Sequence, residues 1–213
     1  MKIVFVTPGM TFGGAERVIA ILANIWCEMG HDVSIFITAT NRPSVYKMNK
    51  KIKVEYFADF NENGVSHFKL IFAIRKFVIK EKANCVISFM NDVCAYTIIS
   101  LMGTGIPVIY SERNDPNKTN QGKVEKIYRK IVEIGEKHIV FQTNGARNCY
   151  SKRTQNKSSI ILNPVDLNKI PVRKKENINY SEIVSVARLE PQKNQELLID
   201  AFNLVSKKHQ DVV

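Results

Sequence analysis

Short apolar runs alternate along this chain with longer stretches of helical periodicity. The runs at 2–7, 32–38, 53–57, 85–89, 108–110, 138–142 and 159–162 are continuous rather than alternating, as in strands covered on both faces. Between most of them apolar residues recur every three or four positions, which predicts helices over 14–29, 67–82, 92–103, 122–136 and 144–151. In the first of these the stripe is Val18, Ile19, Leu22, Ile25 and Trp26. Gly30 closes that helix, and Gly103 and Gly105 close the third. Strand and helix in alternation predict an α/β domain on a doubly wound parallel sheet. Such sheets bind ligands beyond the carboxyl ends of their strands, so Gly13, Asn91, Glu112 and Asn144, which all follow strand ends, should share one rim.

The character changes at Asn163. Pro164, Pro171, a basic cluster at Arg173, Lys174 and Lys175, and Asn177 and Asn179 read as a linker. A new apolar run at 182–187 predicts a strand. A helix is expected over 195–208, with Leu197, Leu198, Ala201, Phe202 and Val205 on one face. The expected organisation is a domain over 1–163, a linker over 164–181 and the opening of a second domain over 182–213. One strand and one helix leave an apolar face uncovered. Either more of that second domain exists, or the tail docks on the first.

The 213 residues carry a formal net charge of +11, and 45% are apolar, enough for a proper core. The charge is concentrated: 42–82 and 118–153 each carry a net +6. Such basic stretches suit phosphorylated ligands, an anionic membrane surface or nucleic acid. No nucleic-acid module is recognisable, and the basic residues are not interleaved with aromatics in a stacking pattern, so no nucleic-acid partner is expected. Cys27, Cys85, Cys94 and Cys149 are isolated from one another. Neither a disulfide framework nor a zinc site is expected, and a reducing cytoplasm fits. No secretory leader is expected either, because the apolar run after Lys2 is short and leads straight into a glycine loop.

That loop joins the first strand to the first helix and holds Pro8, Gly9, Gly13 and Gly14. Strand, glycine loop and helix together present backbone N–H groups and a positive helix end to an anion. The other reading is a tight turn and nothing more. No lysine follows Gly14, which excludes a P-loop, and the glycine spacing excludes the dinucleotide fingerprint.

Four stretches then occur in a telling order: Gly13-Gly14-Ala15-Glu16-Arg17, Ser111-Glu112-Arg113-Asn114-Asp115-Pro116, Asn163-Pro164-Val165-Asp166, and Val186-Ala187-Arg188-Leu189-Glu190-Pro191-Gln192-Lys193-Asn194. Together they resemble the retaining family-4 glycosyltransferases of GT-B fold, in particular the bacterial type that builds capsular polysaccharide, O-antigen or other lipid-linked glycans. The resemblance implies two Rossmann-like domains, the first holding the acceptor and the second a nucleotide sugar. It implies transfer of a hexose or N-acetylhexosamine, UDP-linked, to a lipid-linked or polysaccharide acceptor. The anomeric configuration would be retained and no metal or other cofactor needed.

Residue by residue, the resemblance puts Gly13 and Gly14 against the donor diphosphate from the first domain, and Arg188 and Lys193 against it from the second. Fixed cations and N–H groups suit a leaving diphosphate on which negative charge develops. Glu112, Arg113, Asn114 and Arg147 are acceptor-side candidates. Many relatives carry His where Arg113 stands, and Arg cannot act as a base near neutral pH, so Arg113 is expected to bind a phosphate or hydroxyl. Glu112 either contacts the acceptor or caps its loop. Asn144 reads as a helix N-cap, and His138 and His31 as structural. No catalytic residue is assigned. The family's acidic Glu-x7-Glu motif lies deep in the second domain, past residue 213, so these residues alone are expected to show no turnover. The rival readings are a non-catalytic acceptor- and membrane-binding half that works with a separate donor-binding subunit, and a GT-B sugar-nucleotide epimerase.

The helix over 67–82 carries more apolar surface than a core stripe needs. Leu70, Ile71, Ile74, Phe77 and Val78 make one face. Phe68, Phe72 and Ile79 widen it, and Lys69, Lys76 and Lys80 line the opposite side. Either the extra residues touch a neighbouring strand, or this helix lies on anionic lipid, which would place the protein peripherally on the cytoplasmic face of the membrane.

Overall fold

The computed structural model describes residues 1–39, 42–57, 66–119, 122–165, 183–187, 189 and 191–209. The chain divides into two compact units, Met1–Val165 and Asp166–Val213.

The first unit runs β1 (Lys2–Thr7), α1 (Gly14–Glu28), β2 (Asp32–Ile37), β3 (Lys53–Tyr56), α2 (His67–Lys80), β4 (Cys85–Phe89), α3 (Asn91–Leu101), β5 (Val108–Ser111), α4 (Pro116–Thr119), α5 (Lys123–Gly135), β6 (His138–Phe141), α6 (Asn144–Asn148), α7 (Lys152–Asn156) and β7 (Ser158–Ile160). The seven strands form one parallel sheet in the order β3-β2-β1-β4-β5-β6-β7. This is the Rossmann-like sheet that the alternation of elements predicts.

β1 lies inside the sheet, and its side chains divide between two cores by the period of two. Ile3 and Phe5 pack with Val18, Ile19 and Ala23 of α1, and the Phe5 ring stacks on Trp26 at 5.6 Å. Val4 and Val6 face the opposite core with Ile74 and Phe77 of α2, Val93 and Ile98 of α3, and Val132 of α5. Both faces are therefore buried, and the strands read as continuous apolar runs. From β1 the chain moves outward to β2 and β3, then returns to pair β4 on the other side of β1. The strand order reverses between β1 and β4, and that crevice is where an open sheet of this kind binds ligands.

Three sequence expectations change. A single helix over 144–151 is replaced by α6 and α7, because Ser151 Oγ accepts the Thr154 N–H and starts a new helix. In α6 the N-cap is Thr143, whose Oγ1 accepts from Ala146 N at 3.1 Å, and Asn144 is the first helical residue. In the second unit, residues 183–187 form no strand and are exposed. A strand exists by pairing, and among the described residues of this unit there is no second strand to pair with. A 3-10 turn, Pro191–Lys193, precedes α8 (Gln195–Ser206), whose Leu197, Leu198 and Val205 are exposed.

Candidate functional site

The carboxyl ends of β1, β4, β5 and β6 bring one polar rim together around the crevice. After β1 the chain crosses Pro8 to Gly13 and enters α1. This loop is fastened from the β2–β3 connection: Ala39 N donates to Pro8 O at 3.0 Å, and Val45 N to Met10 O at 3.1 Å. The Tyr46 hydroxyl accepts the Gly13 N–H at 3.3 Å and donates to the Gly13 carbonyl at 2.8 Å. Tyr46 is a site residue that the sequence reading missed. Nothing local marks it, since its partner lies 33 positions away.

Gly13 is extended, with φ 176°, and no side chain caps the N-terminus of α1. Gly14 is exposed, and a Cβ added there would meet nothing within 4 Å. The first turn of a fifteen-residue helix thus leaves its N–H groups without a side-chain acceptor beside the crevice. Arg17, one turn on, donates to Pro164 O at 3.5 Å.

The other wall of the crevice is the end of β4. Here Met90 adopts φ 71°, ψ 139°, a conformation that costs a non-glycine residue on the order of 1–3 kcal/mol. It turns the chain out of β4 and into α3. Asn114, from the loop after β5, donates through Nδ2 to Met90 Sδ at 3.8 Å and ties the β4 and β5 ends together.

Glu112 resolves in favour of the loop cap. It is 2% exposed. Its Oε1 accepts the N–H groups of Arg113 and Asn114, each at 3.0 Å, and its Oε2 accepts from the Tyr150 hydroxyl at 2.7 Å. The carboxylate therefore shapes the Arg113–Asn114 turn from inside. Tyr150 is held in turn by Arg129, whose guanidinium carbon stands 4.1 Å from its ring centroid. Burial and the Glu112 charge push the Tyr150 hydroxyl above the usual phenol range, so it remains a donor.

Arg113 lies half-buried on the Phe89 ring, 5.2 Å from its centroid. Its Nη1 donates to Asn163 Oδ1 at 2.5 Å. Asn163 Nδ2 donates to Gln142 Oε1 at 3.2 Å, and Gln142 Nε2 returns to the Arg113 carbonyl at 3.5 Å. The loops after β5, β6 and β7 are closed into one ring by these contacts. Arg113 Nε has no hydrogen-bond partner. Burial lowers the guanidinium pKa, but an arginine so placed remains a cation.

The remaining sequence candidates fall elsewhere. Arg147 Nη2 donates to Gln155 O at 2.9 Å and straps α6 to the end of α7. His138 bonds Ser159 Oγ at 2.9 Å between β6 and β7, and His31 Nδ1 lies 3.2 Å from the terminal amine, so both read as structural. Arg188 lies outside the described residues, and Lys193, in the second unit, is exposed. On α2, Lys69, Lys76 and Lys80 are exposed, and Phe68 and Phe72 stand 79% and 69% in solvent. The two rings do not pack on a neighbouring strand. No helix among the described residues is long and apolar enough to cross a membrane. The four cysteines are free thiols.

The model of Glycosyltransferase Family 4 matches residues 12–169, which is well over half of the chain and includes this rim. The chain belongs to glycosyltransferase family 4. Among the family relatives, a GalNAc-alpha-(1->4)-GalNAc-alpha-(1->3)-diNAcBac-PP-undecaprenol alpha-1,4-N-acetyl-D-galactosaminyltransferase of Campylobacter jejuni is 27% identical over 99% of this chain and 59% of its own length. An alpha-1,3/1,6-mannosyltransferase of Saccharomyces cerevisiae is 23% identical over 99% of this chain and 48% of its own length. The chain thus spans roughly half the length of the relatives it matches. In fold it is similar to Anabaena HepE, solved in complex with UDP and glucose, with TM-score 0.70 and 13% identity over 100% of this chain and 60% of that one.

Proposed function

We propose that the Met1–Val165 unit is the acceptor-side domain of a retaining glycosyltransferase that moves a hexose or N-acetylhexosamine from a UDP-sugar to a lipid-linked or polysaccharide glycan. The observation that carries the reading is the family match over residues 12–169, which falls on a crevice with an uncapped helix N-terminus. The Campylobacter relative is named for a diphospho-undecaprenol-linked acceptor, and a lipid-linked acceptor is carried over from it.

In this reading Gly13 and Gly14 face the donor diphosphate, with the first-turn N–H groups of α1 beyond Gly13 as donors, and Arg188 and Lys193 keep the diphosphate role that the family likeness gives them. The bond from the anomeric carbon to the diphosphate oxygen breaks, and negative charge gathers on the leaving UDP. Fixed cations and N–H dipoles stabilise that charge in place of a divalent metal. The acceptor oxygen bonds the same face of the anomeric carbon, and its proton passes to the departing phosphate oxygen. No protein base is required. Arg113, a permanent cation, binds a phosphate or hydroxyl oxygen beside the crevice. Glu112 and Tyr150 hold its loop. The protein works at the cytoplasmic face of the membrane, with the outer face of α2 against anionic lipid.

Amide spectra of the isotopically labelled chain test the first assignment. Titration with UDP is expected to shift Gly13, Gly14 and Ala15, and shifts confined to other residues would overturn it. Turnover is tested on the protein at the length its source cells make, with a nucleotide-sugar panel and a polyprenyl-diphosphate-linked glycan. An α-linked product of retained configuration is expected, and an inverted anomer would overturn the retaining assignment. Turnover by these 213 residues alone would overturn the requirement for more of the second domain.

A further inference from the structure

Arg17 and Arg113 reach two adjacent residues from different sides of the crevice. Arg113, in the loop after β5, donates Nη1 to Asn163 Oδ1 at 2.5 Å. Arg17, in the first turns of α1, donates Nη2 to Pro164 O at 3.5 Å. Both guanidinium groups and the uncapped start of α1 therefore converge on one stretch of the rim. The Phe89 ring accounts for the reach of Arg113. Phe89 belongs to the core beneath α1, where it packs with Phe5, and the Arg113 guanidinium carbon lies 5.2 Å from its centroid. A side chain that starts beyond β5 is thereby carried toward the α1 side of the sheet.

Neither arginine is paired with a carboxylate among the described residues. Glu112, next to Arg113 in the chain, is buried and already accepts from the Arg113 and Asn114 N–H groups and from Tyr150. Glu16 is the acidic residue in the first turn of α1 and is bonded to neither guanidinium. Both cations rest instead on uncharged oxygens, an amide Oδ1 and a backbone carbonyl. A hydrogen bond from a cation to a neutral oxygen is weaker than one to an anion. Their charge is left uncompensated beside a positive helix end.

A guanidinium has five N–H hydrogens and no acceptor; with the Arg113 Nε buried and closed to a ligand, and one Nη1 hydrogen given to Asn163, three remain. They suit a group that only accepts. A sugar hydroxyl also needs an acceptor for its own hydrogen, which arginine lacks, whereas phosphate oxygens need donors alone. The direction of the Asn163 amide is fixed as well. Its Nδ2 donates to Gln142 Oε1 at 3.2 Å, and Gln142 Nε2 donates to the Arg113 carbonyl at 3.5 Å. A flipped Asn163 amide would set its NH2 group against the guanidinium and lose both of its own bonds.

We infer that Asn163 is a positioning residue, which holds Arg113 with its remaining donors set for a phosphate of a bound substrate, beside Arg17 and the start of α1. The phosphate is that of the nucleotide sugar or that of a diphosphate-linked acceptor. The inference rests on the contact proposed for Arg113 and narrows it from an oxygen of either kind to phosphate.

Asn163→Asp separates this role from a structural one. It keeps an acceptor on Arg113 and adds a carboxylate, so the thermal midpoint is expected to hold, while the cation that phosphate needs is neutralised. Inorganic pyrophosphate is titrated into the protein at the length its source cells make, with isotopically labelled arginine. It is expected to shift the Arg113 side-chain signal, and to bind Asn163→Asp about tenfold or more weakly. Asn163→Ala loosens the guanidinium without changing its charge and is expected to weaken binding less. Native affinity in Asn163→Asp, or tighter binding by Asn163→Ala, would overturn the inference, the latter because Asn163 would then compete with phosphate. Shifts confined to other arginines would overturn it too. In turnover, KM for the phosphate-bearing substrate is expected to rise in Asn163→Asp with kcat little changed. A rise for the nucleotide sugar alone assigns Arg113 to the donor. A rise for a glycan on polyprenyl diphosphate, but not for the same glycan on a neutral alkyl chain, assigns it to the acceptor. An equal rise for both glycans would mean a hydroxyl contact and overturn the phosphate. A native protein that turns over no nucleotide sugar would sink the proposed transfer, and pyrophosphate binding would still decide the role of Asn163.

Discussion

Tyr150, in the turn between α6 and α7, donates its hydroxyl hydrogen to the buried carboxylate of Glu112 at 2.7 Å. The contact spans 38 positions and fixes the loop that carries Arg113. Tyr150→Phe leaves a buried carboxylate oxygen without its donor, an omission that costs about 1–3 kcal/mol. A lower urea midpoint with an unchanged slope is expected in chemical denaturation. Glu112→Gln should cost more, because an amide cannot accept from three donors on the same two atoms.

Tyr46→Phe removes both hydrogen bonds to Gly13 at once and keeps the ring. Stability is expected to fall by about 1 kcal/mol. The more telling readout is amide exchange. The Gly13 N–H should exchange many times faster in the variant, while amides of β1 keep their native rates. An unchanged Gly13 rate would mean that another group holds this loop.

The two glycines of the loop differ in what a methyl group would meet. At Gly14 it meets nothing, so Gly14→Ala is expected to stabilise the unliganded chain by up to about 1 kcal/mol. The same methyl group stands over the first-turn amides and should weaken UDP binding. At Gly13 it comes within 2.0 Å of Glu16 Oε2, the far end of a flexible side chain, so the carboxylate swings aside at little cost. Thermal melts with and without UDP separate the two cases.

Glu133 supplies a pH dependence. Burial acts to raise its pKa, but hydrogen bonds from Ser151, Thr154 and Arg129 outweigh burial and hold it below the ordinary value of 4.5. A depressed folded-state pKa stabilises the fold above that value, and the contribution fades as pH falls through and below it. Glu133→Gln should therefore be less stable than the native chain at neutral pH, by roughly 1–3 kcal/mol. The gap should narrow steadily below about pH 4.5. Denaturation of both proteins across that range measures it.

The frame was legible because seven continuous apolar runs separated by helical stripes fit few other folds. The breaks came where one side chain overrides the pattern, as Ser151 does by capping a separate polar helix, α7, where the expected helix was to end. Glu112 and Arg113 could be placed on the rim from sequence. Their partners Tyr150 and Asn163 could not, since such contacts depend on the fold and not on spacing. Phe68 and Phe72 stood out because they exceed what a core stripe needs. Val124, Ile127 and Ile134 did not, because on paper they belong to an ordinary core stripe. Only the packed sheet shows that Val132, Tyr128 and Ile131 already fill that place.

The two-sided burial of β1 sets what can change in this protein and what cannot. One residue inserted within Lys2–Thr7 would exchange the two cores, sending Phe5 from Trp26 toward α2 and α3. The loops at the carboxyl rim carry no such constraint, and lengthening one costs only a few tenths of a kilocalorie for each added pair of residues, on the order of loop-closure entropy. Descendants of this chain are free to vary by redrawing the rim, while the hydrophobic lettering of the strands stays as it is.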